Sequence, residues 1–475
     1  MVNPSDLAEY MVEYGLARNF DIVIARYQNV IAYNISIVNG EVASTSINRT
    51  NGLGAKLIYK GVNIHTSTNI FSFESVKNRV EYALAKAKAY SKDKFRYVTL
   101  YEVESTDISH VVKEDKPFID YKDELISDLM SLDDEIKEYA KIDVLTRIFN
   151  IHAFIEEKYI TTSEGVKVYS KIPRILLHYR LVSKAGDKYI SRDGFLGGSG
   201  GVESIEYESL KSDVKSILDT MYNIAFKAVN IEDGEYNIVI GNELSGLIAH
   251  NAVGHAFEAD RVLGMEGGQL GESYVSKNDL NNVIASEGVN VYDDPTLPSL
   301  FGYYLYDDDG IQTRRRTLIK DGIISEFLHN RYTASIYGIP SNASARAESY
   351  MDEPIVRMGV TYFEPGDRGF KELIEEARYG IYIKNVSEWS IDDKGVNQRY
   401  VGFEAYLIDG GEIKNPLKYP VIETTSNIIL KSVKALGDDL RLYPLICIKG
   451  EPIQRIPVNI GGPHMLITKI RVLRR

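Results

Sequence analysis

Two histidines five residues apart, His250 and His255, lie in the stretch from Leu247 to Asp260, and the chain's single cysteine, Cys447, stands far downstream. Imidazole and thiolate are the usual ligands of zinc, and three protein ligands with a fourth position open make a catalytic rather than a structural site. Asn251 follows the first histidine directly, where zinc hydrolases of the His-Glu type carry a carboxylate. An amide cannot take a proton from water near neutral pH. The pattern is that of a metallohydrolase with its ligands present and its usual base missing.

For both imidazoles to meet one metal, the element that carries them must turn them to one side. The familiar zinc-peptidase helix spaces its histidines by four, which puts them about 40° apart, whereas a spacing of five puts them about 140° apart on an ideal helix. Some part of that turn must unwind. Gly254, immediately before His255, is the residue best able to allow it, through a π-bulge or by ending the helix. A strand over Tyr236 to Ile240, a Gly241-Asn242 stop and cap, and a helix from Glu243 to His255 make up the predicted support. Leu445 to Ile448 reads as a buried strand, where a lone cysteine commonly behaves as a small hydrophobe. His464 is a further candidate ligand, with no spacing that singles it out. Ser-His-Asp chemistry fits poorly, because Gly241 to Gly246 is not a Gly-x-Ser-x-Gly elbow. Residue chemistry alone leaves two readings open: a His-His-Cys metal site, or packed histidines and a buried thiol.

At 475 residues, with 44% hydrophobic and 26% charged residues, the chain has the composition of a soluble globular protein of two or three domains. A net charge of −12 argues against a nucleic-acid binder, which normally presents a basic surface. Arg314, Arg315 and Arg316 form a short basic run, but Asp307, Asp308 and Asp309 precede it closely, so a solvated, charge-compensated hairpin is expected there. One cysteine cannot form an internal disulfide, which suits a reducing, intracellular setting. The opening residues, Asn3 to Glu9, lack a signal peptide's basic start and apolar middle. No run of about 18 apolar residues is present to span a membrane.

The expected fold class is α+β, with an N-terminal mixed strand and helix domain over 1–230 and a β-rich C-terminal domain over 231–475 that carries the metal-site helix. A helix near Ser5 to Leu16 precedes strands at Asp21 to Ala25 and Val30 to Val38, and Asn39-Gly40 supplies a hairpin turn. Val76, Val80, Ala83, Leu84 and Ala87 recur at helical spacing, as do Leu210, Val214, Ile217, Met221, Ile224 and Ala228. Between these helices, Arg147 to Ile190 reads as several antiparallel strands. The glycines 194, 197, 198, 200 and 201 lack the Gly-Lys-Ser/Thr ending of a phosphate loop and are read as a flexible turn. In the second half, Asp321-Gly322 and Asp409-Gly410-Gly411 mark hairpins.

The segment from His250 to Asp260 resembles the signature of the TldD branch of the TldD/PmbA family, His-Glu-Ala-Val-Gly-His followed by Glu and Asp. The similarity continues in order through Val291 to Pro298, Asp307 to Gly310, Arg346 to Tyr350, Pro354, Arg357-Met358, Phe403 to Ile408, Gly437 to Leu440, Cys447 and Pro457-Val458. The resemblance implies a cytoplasmic zinc metallopeptidase acting on small or unfolded peptides. It also implies a partner, either a PmbA-type (TldE-like) subunit or a second copy in a homodimer. Carried over residue by residue, His250, His255 and Cys447 become ligands of Zn2+, and the family's catalytic glutamate falls on Asn251. Further departures are Trp389-Ser390 in place of a glycine pair and Ile448 where a glycine usually follows the cysteine. A general base normally contributes about 10²–10⁴ in rate. Glu258 is the nearest carboxylate that could substitute if the unwound turn brings it round. The rival reading is a non-catalytic peptide-binding or regulatory subunit.

Overall fold

Hydrogen-bonding side chains in the first strand decide how the N-terminal half is built. The structure, a computed structural model, describes residues 2–90, 101–266 and 271–475. The two short strands expected at Asp21 to Ala25 and Val30 to Val38 are one continuous strand, Ile22–Val38. The polar residues between them are buried and partnered across the fold: Arg26 donates to Ser349 O at 2.8 Å, Gln28 to Glu156 at 2.8 Å and Asn29 to Glu157 at 3.0 Å. The strand turns at Asn39-Gly40, with φ of 55° and 84°, into Glu41–Tyr59. Two positive φ values define the turn type that matches strand twist.

The N-terminal sheet has the order Val62–Thr68, Glu41–Tyr59, Ile22–Val38, Val144–Thr162, Val166–Ala185, Thr106–Val111, with Lys188–Ser199 also paired to Val166–Ala185. All pairings are antiparallel except the last of that path. Helices Pro4–Ala17 and Phe73–Tyr90 bury Leu7, Met11, Val76 and Val80 against Val23, Leu53 and Leu57. Helices Phe118–Tyr139 and Tyr207–Phe226 bury Leu125, Leu129, Leu210 and Val214 against Phe149, Ile151, Ile175 and Leu177. The glycine cluster is not a flexible turn. Gly194, Gly197 and Gly198 lie within the strand Lys188–Ser199, and a Cβ on Gly194 would come 2.1 Å from the Tyr179 ring.

Past residue 230 the strands form two further large sheets. One has the order Ile323–Ile324, Arg316–Lys320, Val291–Asp293, Val360–Phe363, Gln454–Gly462, Arg441–Lys449. The other centres on Met465–Leu473, Gly234–Ile240 and Tyr379–Ile383. Helix Asn242–Ile248 packs its Leu244, Leu247 and Ile248 into a core that draws Ile238, Ile240 and Ile467 from one sheet and Val458, Ile460 and Cys447 from the other. The architecture is mixed α+β, and among the described residues no helix is long and apolar enough to cross a membrane.

In the charged run from Asp307 to Arg316, Arg314 and Arg315 are exposed as expected, but Arg316 and the three aspartates depart from a solvated state. Arg316 is fully buried, with Nη2 donating to Asp293 at 2.9 Å and Nη1 to Ala343 O at 2.8 Å. Asp307, Asp308 and Asp309 are buried too. Asp308 lies 3.0 Å from both Arg26 and Lys158, and Asp309 pairs with Lys56, all three cations on N-terminal strands. Burial of Asp308 and Asp309 is tolerable because cations of the first sheet match them. Asp307 has backbone N–H partners only, and burial beside Asp309 pushes its carboxyl up to about 8.

Candidate metal centre

The segment that carries the histidines is pinned at its start. Asn242 donates from Nδ2 to Asp439 O at 2.6 Å and to Gly462 O at 3.0 Å. Gly246 then faces the strand Gln454–Gly462 so closely that a Cβ would meet Gly461 N at 2.7 Å. Only hydrogen fits there, and the helix is pressed onto the strand next to the one that bears Cys447.

After Ile248 the regular helix ends. Ala249–Gly254 is a π-helix, His255–Phe257 is a single 3-10 turn, and Glu258 is extended at φ −68° and ψ 116°. The His255 N–H donates to His250 O, the i→i+5 bond that characterises π geometry. That bond is the physical answer to the spacing of five, because it brings residues five apart onto one face. The two imidazole centroids are 4.6 Å apart, inclined at 73°. Cys447 Sγ lies 3.3 Å from His255 Nε2. One ligand atom from each of His250, His255 and Cys447 falls within 4.8 Å of the others. The structure therefore brings together the three residues that the sequence singled out.

Their chemistry suits a metal. His250 is buried and its Nδ1 has no hydrogen-bond partner, which leaves a lone pair or N–H in a protein interior without a use. Burial brings the His250 imidazole down to about 4, so it is neutral at ordinary pH and able to ligate. Burial alone would push the Cys447 thiol up, but His255 and Arg357 outweigh it and bring the thiol down to about 7. Arg357, itself fully buried, donates from Nη2 to Cys447 O at 2.7 Å. A thiolate and two imidazoles are the donor set that zinc prefers.

Glu258 sits at the opposite ring nitrogen from the thiol. Its Oε2 accepts from His255 Nδ1 at 3.0 Å and lies 3.2 Å from Lys449 Nζ and 3.3 Å from Arg261 Nε. Burial would raise this carboxyl, but Lys449, His255 and Arg261 together hold it well below the usual carboxylate range. Asn251 is buried with an unpartnered Nδ2 and faces the hydroxyl of Tyr400. Tyr400 donates to Gln398 at 2.5 Å, and Gln398 donates to Ser426 at 2.5 Å, so the surroundings of Asn251 on that side are neutral. His464 lies elsewhere. Its Nδ1 meets Asp439 at 2.6 Å and its Nε2 the Tyr382 hydroxyl at 3.0 Å, which occupies both nitrogens.

Sequence reasoning passed over Tyr400, Arg261 and the charge of Lys449. Two of these carried a signal. Lys449 is two residues after Cys447, on the same face of one strand, and Arg261 is three after Glu258.

Residues 233–474 match the model of the PmbA/TldA metallopeptidase C-terminal domain, and residues 115–231 that of the central domain. The chain belongs to this family. It is 30% identical to a metalloprotease of Methanocaldococcus jannaschii over 90% of this chain and 92% of that protein. A metalloprotease of Methanothermobacter thermautotrophicus is 34% identical over 65% of this chain and 66% of its own length. A zinc metalloprotease TldD homologue of Saccharolobus solfataricus is 30% identical over 55% of this chain and 58% of its own. The crystal structure of TldE from Thermococcus kodakarensis superposes with a TM-score of 0.74 at 17% identity, over 98% of this chain and 100% of that one. At that identity the likeness shows the metallopeptidase family's fold and nothing finer.

Proposed function

We propose that this member of the family is a zinc metallopeptidase acting on small or unfolded peptides, with a slow native rate set by Asn251. The observation that supports it most strongly is the convergence of His250, His255 and Cys447 within 4.8 Å at a π-helical turn. When bound, zinc supplies Lewis-acid polarisation of a peptide carbonyl and acidifies water at neutral pH. The remaining work falls to the chain. Glu258 accepts from His255 Nδ1 and so turns Nε2 toward the thiolate, the carboxylate–histidine–metal arrangement that fixes ring and tautomer. This makes Glu258 a positioning residue instead of a substitute base, since a carboxylate held so firmly ionised is a poor proton acceptor.

Asn251 donates from its free Nδ2 to an oxygen of the peptide or of water, but it removes no proton. A missing general base costs about 10²–10⁴ in rate. The same residue favours a second reading, a peptide-binding or regulatory subunit beside a PmbA/TldE-type partner, because Asn251 faces Tyr400 rather than an acid. Cleavage of an unstructured peptide by the native chain and by Asn251→Glu, both with zinc bound, separates the two. The peptidase reading expects slow native cleavage and at least a ~10-fold gain in the variant, because only the proton-transfer contribution is restored. No cleavage by either protein, with a PmbA-type partner added, favours the binding subunit.

A further inference from the structure

Lys449 has no side-chain surface in contact with solvent, and it is surrounded by acids. Its Nζ donates to both oxygens of Asp260, at 2.7 and 2.8 Å, and to Val356 O at 2.8 Å. It also lies 3.2 Å from Glu258 and 3.8 Å from Glu266. Gly450 N–H, the next backbone donor, binds Glu266 at 3.1 Å. An ammonium taken wholly out of water is costly unless such partners surround it. The position therefore has a reason beyond filling space.

The contacts close a ring. Cys447 and Lys449 are two residues apart on the strand Arg441–Lys449, so both side chains leave it on the same face. Lys449 reaches Glu258, Glu258 accepts a hydrogen bond from His255 Nδ1, and His255 Nε2 returns to Cys447. Two metal ligands from distant parts of the chain are thus joined through one buried cation. Asp260 extends the grip past the histidine turn His255–Phe257, and Arg261 shares Glu258 and Glu266 at 3.3 and 2.8 Å.

Building on the zinc reading above, we infer that Lys449 is a positioning residue for the metal: it clamps the Cys447 strand to the His255 segment and holds the Glu258 carboxylate against the imidazole. Without it, the Arg261 guanidinium alone is left to face Glu258 and Glu266, Glu258 loses its closest ammonium, and the ring of His255 is free to turn. Partners of this kind outside the ligand set typically change metal affinity by 10–100-fold.

The test compares zinc affinity, by competition with a chelator, in the native full chain, Lys449→Met, Glu258→Gln and the double variant, each checked for folding by circular dichroism. We expect the Lys449→Met affinity to fall by about 10–100-fold. Because the lysine acts through Glu258, the double variant should lose no more than the weaker-binding single one. Should Lys449→Met fail to fold, Asp260→Asn loosens the same grip with the lysine retained, and its zinc affinity should drop at least threefold. A native chain with one zinc, together with unchanged affinity in folded Lys449→Met (or in Asp260→Asn), overturns the clamp alone. Losses that add fully in the double variant overturn the route through Glu258. A native chain that binds no zinc overturns the metal reading itself.

Discussion

On the reading proposed above, Asn251 and Glu258 divide the work at this site between one residue's chemistry and another's position. Asn251 stands where the family resemblance places a general base, with a group that can only donate or accept hydrogen bonds. Glu258 has the charge of a base, but its Oε2 is taken up by His255, Lys449 and Arg261. The two roles predict different outcomes for Glu258→Gln. A positioning carboxylate, once replaced, weakens zinc binding, and cleavage at saturating zinc stays within about tenfold of native, since ring orientation rather than proton transfer is what has changed. A base would lose cleavage by about 10²–10⁴ with zinc still tightly held. Zinc titration followed by peptide cleavage on the same preparation tells these apart.

At the scale of elements, the decisive feature is the join between a seven-residue helix and the π turn that follows it. Gly246 lets that helix lie on the strand Gln454–Gly462, and a methyl group would push against Gly461 backbone atoms at 2.7 and 2.8 Å. Backbone cannot step aside as a side-chain end can. Gly246→Ala should therefore destabilise the protein by about 1–3 kcal/mol and weaken zinc binding as His250 shifts away from Cys447. Urea unfolding and zinc titration measure both, and a variant that matches the native protein in each contradicts this reading of the helix. Much of this was readable in the sequence. A histidine spacing of five cannot serve one metal on a regular helix, so an irregular turn before His255 follows from geometry, and Gly254 closes the π segment. Sequence reasoning missed the long helix Phe118–Tyr139, although Leu125, Leu129, Leu132 and Ile136 repeat at helical spacing and are buried. The burial of Arg316 and of the three aspartates was not readable. Local composition marks a charged turn as solvated, and the partners that stabilise Asp308, Asp309 and Arg316 in the interior (Arg26 and Lys158, Lys56, and Asp293) are all distant in sequence.

At the scale of the whole molecule, buried histidines outside the candidate ligand set make stability depend on pH. Burial, with Arg26 and Lys56 nearby, brings His65 down to about 3. Burial brings His329 down to about 4, only partly opposed by Glu326. Both are neutral in the folded chain where the unfolded chain, with an ordinary histidine value near 6.5, already binds protons. Their contribution is therefore fully present above about pH 6.5 and is lost progressively as pH falls from there, the loss being complete near 4 for His329 and near 3 for His65. At pH 5 each should cost on the order of 1–2 kcal/mol. Urea midpoints at pH 7.5 and pH 5 check this, and His329→Gln should flatten part of the difference. One metal shared by His250 and His255 at the π turn and by Cys447, 192 positions after His255, is what the proposed function rests on. Elemental analysis of protein purified without added metal, read beside Cys447→Ser, checks it. About one zinc per native chain is expected, lost on replacing the thiol. Less than about a tenth of an equivalent in the native chain, unchanged after incubation with zinc, would contradict a donor set suited to that metal.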